Sequence, residues 1–201
     1  MTHPLSARAA MLAVVGLAAG WVPVSSLSAG EATTGRASIR ICHGFGCHFR
    51  SELDLASGDE KRLAAMLSAG ASSPRAERVA VSKAVQYYEN RAVRVIGVRD
   101  QGKSTAKQLG KRGQMDCIDE STNTRAFLLH LERRGLLKHH TVNRNVTRGF
   151  LIDGRYPHST AVLREKSGTK WAVDSWYEPT GGPPDIMPLS EWLKRGVMGV
   201  R

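Results

Sequence analysis

The chain has 201 residues, with 29 Lys and Arg against 18 Asp and Glu, for a formal net charge of +11. That length suits one domain with a real core and excludes two comfortable ones. The basic residues are scattered, as in Lys103, Lys107, Lys111 and Arg112, with little aromatic interleaving, which argues against a nucleic-acid reader and for a solvated surface that favours anionic surroundings such as a cell envelope.

Arg8 is the only formal charge before an uncharged run from Ala9 to Gly30. The apolar part, Ala9 to Ala19, is followed by the small residues Ser25-Ser26-Leu27-Ser28-Ala29-Gly30. This order predicts a secretory signal peptide over residues 1–30, cleaved between Ser28 and Ala32, and a periplasmic or extracellular mature chain. The alternative is an N-terminal membrane anchor, but a span needs about 20 apolar residues, and Gly16, Gly20 and Pro23 interrupt this one.

Residues 31–58 read as an irregular N-terminal arm with a short strand. Within it Cys42 and Cys47 bracket His43-Gly44-Phe45-Gly46. In an exported protein that spacing predicts a local disulfide, the two glycines allowing the tight backbone. The rival is a haem or metal site on Cys42 to His48; a structural zinc site wants four closed ligands, and no second cysteine pair completes one. No metal and no cofactor are expected.

Residues 59–201 form the expected domain. A helix is predicted over Asp59 to Ala69, with Leu63, Ala64, Met66 and Leu67 inward. Ser73 before Pro74 signals the start of a second, in which Val81, Ala84, Val85, Tyr88, Ala92 and Val95 repeat at helical spacing up to Gly97. Arg99 to Gln114 reads as a mobile surface loop. A third helix begins at Asp116 or Cys117, buries Ile118, Thr122, Phe127, Leu128, Leu129 and Leu131, and stops at Gly135. A polar connection, His139 to Arg148, leads to strands at Phe150 to Ile152, His158 to Arg164 and Lys170 to Tyr177. The proline and glycine run from Pro179 to Pro184 ends the sheet, and Ser190 caps a short last helix through Trp192. Helices first and antiparallel strands after give an α+β fold, helices packed on a small antiparallel sheet.

Pairing Cys42 with Cys47 leaves Cys117 free at a helix start. A helix N-terminus favours a thiolate, but Asp116, Asp119 and Glu120 oppose it, so a histidine is required. His130 lies 13 residues along the same helix, about 20 Å away, and His139 and His140 lie past its far end. His158, on a separate strand, is free of that constraint. The turn Lys166-Ser167-Gly168 makes Asp174 its same-face diagonal neighbour, able to hold one ring nitrogen and aim the other at sulfur. With that pair, Cys117 is expected to alkylate below the pH of a free thiol, whose pKa is about 8.5.

Asp116-Cys117-Ile118-Asp119, then His158 leading a strand, then Trp171-Ala172-Val173-Asp174-Ser175-Trp176, resembles the bacterial transglutaminase-like cysteine proteinases of the papain-like fold. The resemblance implies a thiol peptidase, amidase or acyl transferase, with Cys117 as nucleophile, His158 as general base and then acid, and Asp174 orienting the imidazole. It departs from the family at Gly113, displaced from its usual place next to the cysteine dipeptide, and at Ser159, where an aromatic commonly follows the histidine. The oxyanion hole would combine the Cys117 N–H with a second donor, for which Gln114 and Gln108 are the upstream candidates. The substrate would be a peptide or protein amide, with no nucleic-acid partner and no assigned oligomeric state. A catalytically silent envelope binding domain of the same fold is the alternative function.

Overall fold

The computed structural model describes residues 37–103, 106–150 and 152–195; the signal-peptide reading therefore lies outside the described residues. The first of these are not an irregular arm. Strands β1 (Ala37–His43) and β2 (Phe49–Leu55) pair antiparallel as a hairpin. The alternation in β2 puts Leu53 and Leu55 inward between exposed Glu52 and Asp54, and with Ile39 and Ile41 they enter the main core.

Helix α1 (Ser57–Ala69) buries Leu63 and Leu67, while Ala64 and Met66 stay half-buried. Helix α2 (Pro74–Ile96) starts as its sequence predicts: the Ser73 hydroxyl accepts the Ala76 N–H at 3.1 Å, and proline stands at the first helical position. It ends at Gly97, whose φ of 70° places it in the left-handed region that glycine tolerates. Ser73→Ala is expected to lower stability by about 1 kcal/mol, read as a lower urea midpoint with an unchanged slope. Val95, expected inside, is exposed; Val98, past the helix end, is buried instead.

Helix α3 (Cys117–Arg133) packs Phe127, Leu128 and Leu131 against Val81, Ala84, Val85 and Tyr88 of α2, with the Tyr88 and Phe127 rings stacked 4.4 Å apart. Ile118, expected inside, is exposed, because the inward face of the first turn carries Asp119 and Glu120.

The polar connection contains two short strands, β3 (His140–Val142) and β4 (Val146–Arg148). Both pair with β5 (His158–Glu165), which pairs with β6 (Lys170–Asp174), and β6 with β7 (Asp185–Pro188), all antiparallel. Two strand readings need correction. Phe150 and Ile152 lie outside any strand and are exposed, Leu151 being outside the described residues. The proline and glycine run does not end the sheet: β7 follows it as an edge strand, the one place where Pro188 costs no ladder bond to a further strand. The last helix, α4 (Leu189–Trp192), is preceded by Pro188, not capped by Ser190. The result is a mixed α+β architecture with small antiparallel sheets. Among the described residues no helix is long and apolar enough to cross a membrane.

Candidate active site

The start of α3 is held from several sides. Asp116 is its N-cap, its Oδ1 accepting the N–H groups of Ile118 at 3.1 Å and Asp119 at 2.9 Å. The preceding residue is fixed by the Met115 N–H donated to buried Asp100 at 2.9 Å. Arg99 to Gln114 is thus a loop with an inner anchor as well as a solvated outer side, and it contains a 3₁₀ turn at Ala106–Gln108.

The disulfide expected between Cys42 and Cys47 is present, with their Cα atoms 4.5 Å apart. Gly44, Phe45, Gly46 and Cys47 all have positive φ, a run that only the two glycines adopt freely. The bridge holds this backbone so that its N–H groups face α3. Phe45 donates to Asp119 Oδ2 at 2.8 Å, Cys47 to Asp119 Oδ1, and Gly46 to Asp116 Oδ2 at 3.2 Å. Asn123, one turn further along, closes the clamp by accepting the Cys42 N–H at 2.7 Å and donating to the Cys42 carbonyl at 2.8 Å. The disulfide loop therefore locks the helix that carries Cys117. Asp119 lies within 4.8 Å of both bridge sulfurs, but those sulfurs are bonded to each other and offer no thiolate to a metal.

Cys117 is half-buried, its sulfur 3.9 Å from the Pro157 carbonyl oxygen and approached by the Ser159 backbone N–H. It therefore rests against the backbone on both sides of His158. The β5 and β6 register, Leu163 opposite Trp171 and Ala161 opposite Val173, runs on to set Asp174 opposite Thr160, two residues from His158. That diagonal closes into a bond of 2.7 Å between His158 Nε2 and Asp174 Oδ2, leaving Nδ1 as the ring nitrogen available to sulfur. Both side chains are buried.

Around this pair is a shell that sequence reasoning missed. Trp192 Nε1 donates to the same Asp174 Oδ2 at 2.7 Å, and the Trp176 N–H reaches Oδ1 at 3.3 Å. The imidazole lies among the rings of Trp176, Tyr177 and Trp192, at 4.9, 5.5 and 5.6 Å. Arg148 stacks 4.1 Å over Trp192 and donates to the Tyr177 hydroxyl at 3.0 Å and to the Trp192 carbonyl. An aromatic-rich C-terminal segment was the only available signal.

The electrostatics differ from the sequence expectation. Burial pushes the Cys117 thiol up to about 11, and the Asp116 and Asp174 charges add to it, against the lowering effect of the Ser159 N–H. The resting sulfur is therefore a protonated thiol near neutral pH, and the expected low-pH alkylation does not follow. Burial likewise raises Asp119 to about 6 and Glu120 well above the usual carboxylate range.

The remaining sequence candidates lie elsewhere. Gln114 donates its side-chain amide to the Arg99 carbonyl at 2.8 Å, and Gln108 donates to Gln114 at 2.9 Å and Gln101 at 3.2 Å; both amides are engaged within the loop. His130 pairs with Glu60, His139 bonds the Ala71 carbonyl, and His140 pairs with buried Glu77, so these three belong to other parts of the fold. Exposed Phe150, Ile152 and Tyr156 stand on the segment that leads to Pro157. The chain matches no protein-family model, no curated protein and no solved structure.

Proposed function

We propose that the protein is an exported thiol hydrolase or acyl transferase acting on amide bonds through a Cys117 thioester, built on a papain-like, transglutaminase-like frame. The observation that carries this reading is the buried 2.7 Å bond between His158 and Asp174 beside a sulfur held against the backbone flanking His158. A histidine that serves only to fill a core does not need an acid fixed by a second donor, Trp192.

In the mechanism, Cys117 Sγ attacks the amide carbonyl carbon as its proton passes to His158 Nδ1. Because the resting group is a thiol, deprotonation accompanies attack. Asp174 holds Nε2–H and stabilises the imidazolium. The oxyanion is set against the N-terminus of α3, where the Cys117 N–H and the helix dipole favour negative charge. The C–N bond then breaks, His158 returns its proton to the leaving amine, and water or an amine releases the acyl group from sulfur. The exposed apolar side chains before Pro157 suit a peptide or protein substrate, and the basic surface suits an anionic envelope.

The raised thiol pKa favours a second reading, a catalytically silent binding domain on the same frame. Exposure to p-nitrophenyl acetate near neutral pH separates the two. The enzyme reading expects an acetyl thioester on Cys117, seen by intact mass and peptide mapping and absent from Cys117→Ala. A folded protein whose Cys117 acylates no faster than a free cysteine peptide leaves the binding domain standing.

A further inference from the structure

Between β3 and β4 the edge of the sheet is interrupted at Asn143 to Asn145. The break is pinned at Asn143: its N–H donates to the Val162 carbonyl at 2.8 Å, and its own carbonyl accepts Arg125 Nε at 2.9 Å. It forms one wall of a groove of about 430 Å³, floored by Val146 and Val162 and flanked by Arg125, Arg144 and Lys170. That volume is within the range of small-molecule sites.

The charge of the groove is one-sided. No acid lines it. Arg144 and Lys170 have no carboxylate partner among the described residues, and the one bond Arg125 makes uses Nε, leaving the outer edge of its guanidinium uncommitted. Lys170 also stands directly across the ladder from Arg164, a like-charge pairing that destabilises a sheet unless something neutralises it. Glu132, the acid whose carboxylate receives the Val142 N–H, is committed there at 2.9 Å.

We propose that this groove is a binding site for a phosphate group, free or as the monoester of a small polar molecule. A phosphate carries about −1.5 to −2 charge and strong acceptor oxygens, matching two planar guanidinium groups and an ammonium. The site is distinct from the catalytic one. Val162 and His158 share a face of β5 four residues apart, about 13 Å along the strand, so the proposal stands whether or not Cys117 is a nucleophile.

The test is a titration of the whole protein with inorganic phosphate, followed through backbone amide shifts at constant ionic strength held with chloride. Saturable shifts are expected at Asn143, Arg144 and Asn145, with at least a tenfold loss of affinity in the Arg144→Ala/Lys170→Ala protein. Both side chains are exposed, so the fold should be retained, and a circular dichroism spectrum checks it. A parallel titration with glycerol 3-phosphate distinguishes the sources: tighter binding than inorganic phosphate assigns the ester, equal binding the free ion. Absence of saturable shifts, their reproduction by chloride alone, or undiminished binding in the double variant would overturn the site.

Discussion

Asp174→Asn is expected to slow acylation of Cys117 about a thousandfold while moving alkylation of the same sulfur to lower pH. The two effects have different origins. Asparagine carries no charge to stabilise the imidazolium, and either amide orientation sets its NH2 against a donor: turned toward His158 it faces the Trp192 N–H and forces the ring proton onto Nδ1, and turned away it faces the Trp176 N–H. The same change deletes a negative charge that raises the thiol pKa, so the thiolate forms more readily by simple ionisation. Opening the pocket would also ease ionisation by hydrating the sulfur, so near-ultraviolet circular dichroism of the variant checks that the packing around it is retained. Rates of p-nitrophenyl acetate acylation at neutral pH and of iodoacetamide labelling against pH, on wild type and variant, check this. If acylation falls while the alkylation profile stays in place or moves up, Asp174 does not act on the sulfur as described; if acylation is unchanged, the histidine is not its base.

The elements that local chemistry punctuates were legible in the sequence. Ser73 with Pro74, Gly97, Asp116 and Gly135 bound their helices through capping that needs no tertiary information. The His158 and Asp174 pairing was legible for the same reason, because a turn near Gly168 fixes the register of a hairpin. What escaped depends on partners distant in sequence. The β1 and β2 hairpin lay beside an irregular run of glycines and cysteines, although the alternation Leu53, Asp54, Leu55 was visible. β7 follows a proline and glycine run and exists because β6 offers it a ladder. Trp192 marked only a helix end, while its meaning comes from Asp174, 18 residues away. The thiol pKa was misjudged because a sequence shows neighbouring charges but not burial, and burial is the larger cause. Glu89 and Glu120 look like polar positions on their helices, yet both point into the core.

That burial gives the second large effect: Glu89→Gln is expected to remove a pH dependence from stability. Glu89 is buried, with Oε2 accepting the Gly181 N–H at 2.7 Å. Burial, with the repulsion of Asp100, raises its carboxyl from 4.5 to about 7, against the Gly181 and Ser175 hydrogen bonds. The folded form thus holds a proton that the unfolded chain has already lost. The contribution of Glu89 to stability is present in full below about pH 4.5 and is lost as pH rises through about 7, a change on the order of 3 kcal/mol. Buried His130 acts in the opposite sense, its lowered pKa costing stability as pH falls below its ordinary value, so the wild-type curve alone is not diagnostic. The difference between wild type and Glu89→Gln isolates the carboxyl, because the amide keeps the shape and cannot ionise. Urea unfolding at pH 5 and pH 8 should show the wild type losing about 2.5 kcal/mol relative to the variant on going to the higher pH. A difference between the two proteins that is the same at both values would mean that Glu89 is ionised in the folded state, and that the protein compensates its charge in the core.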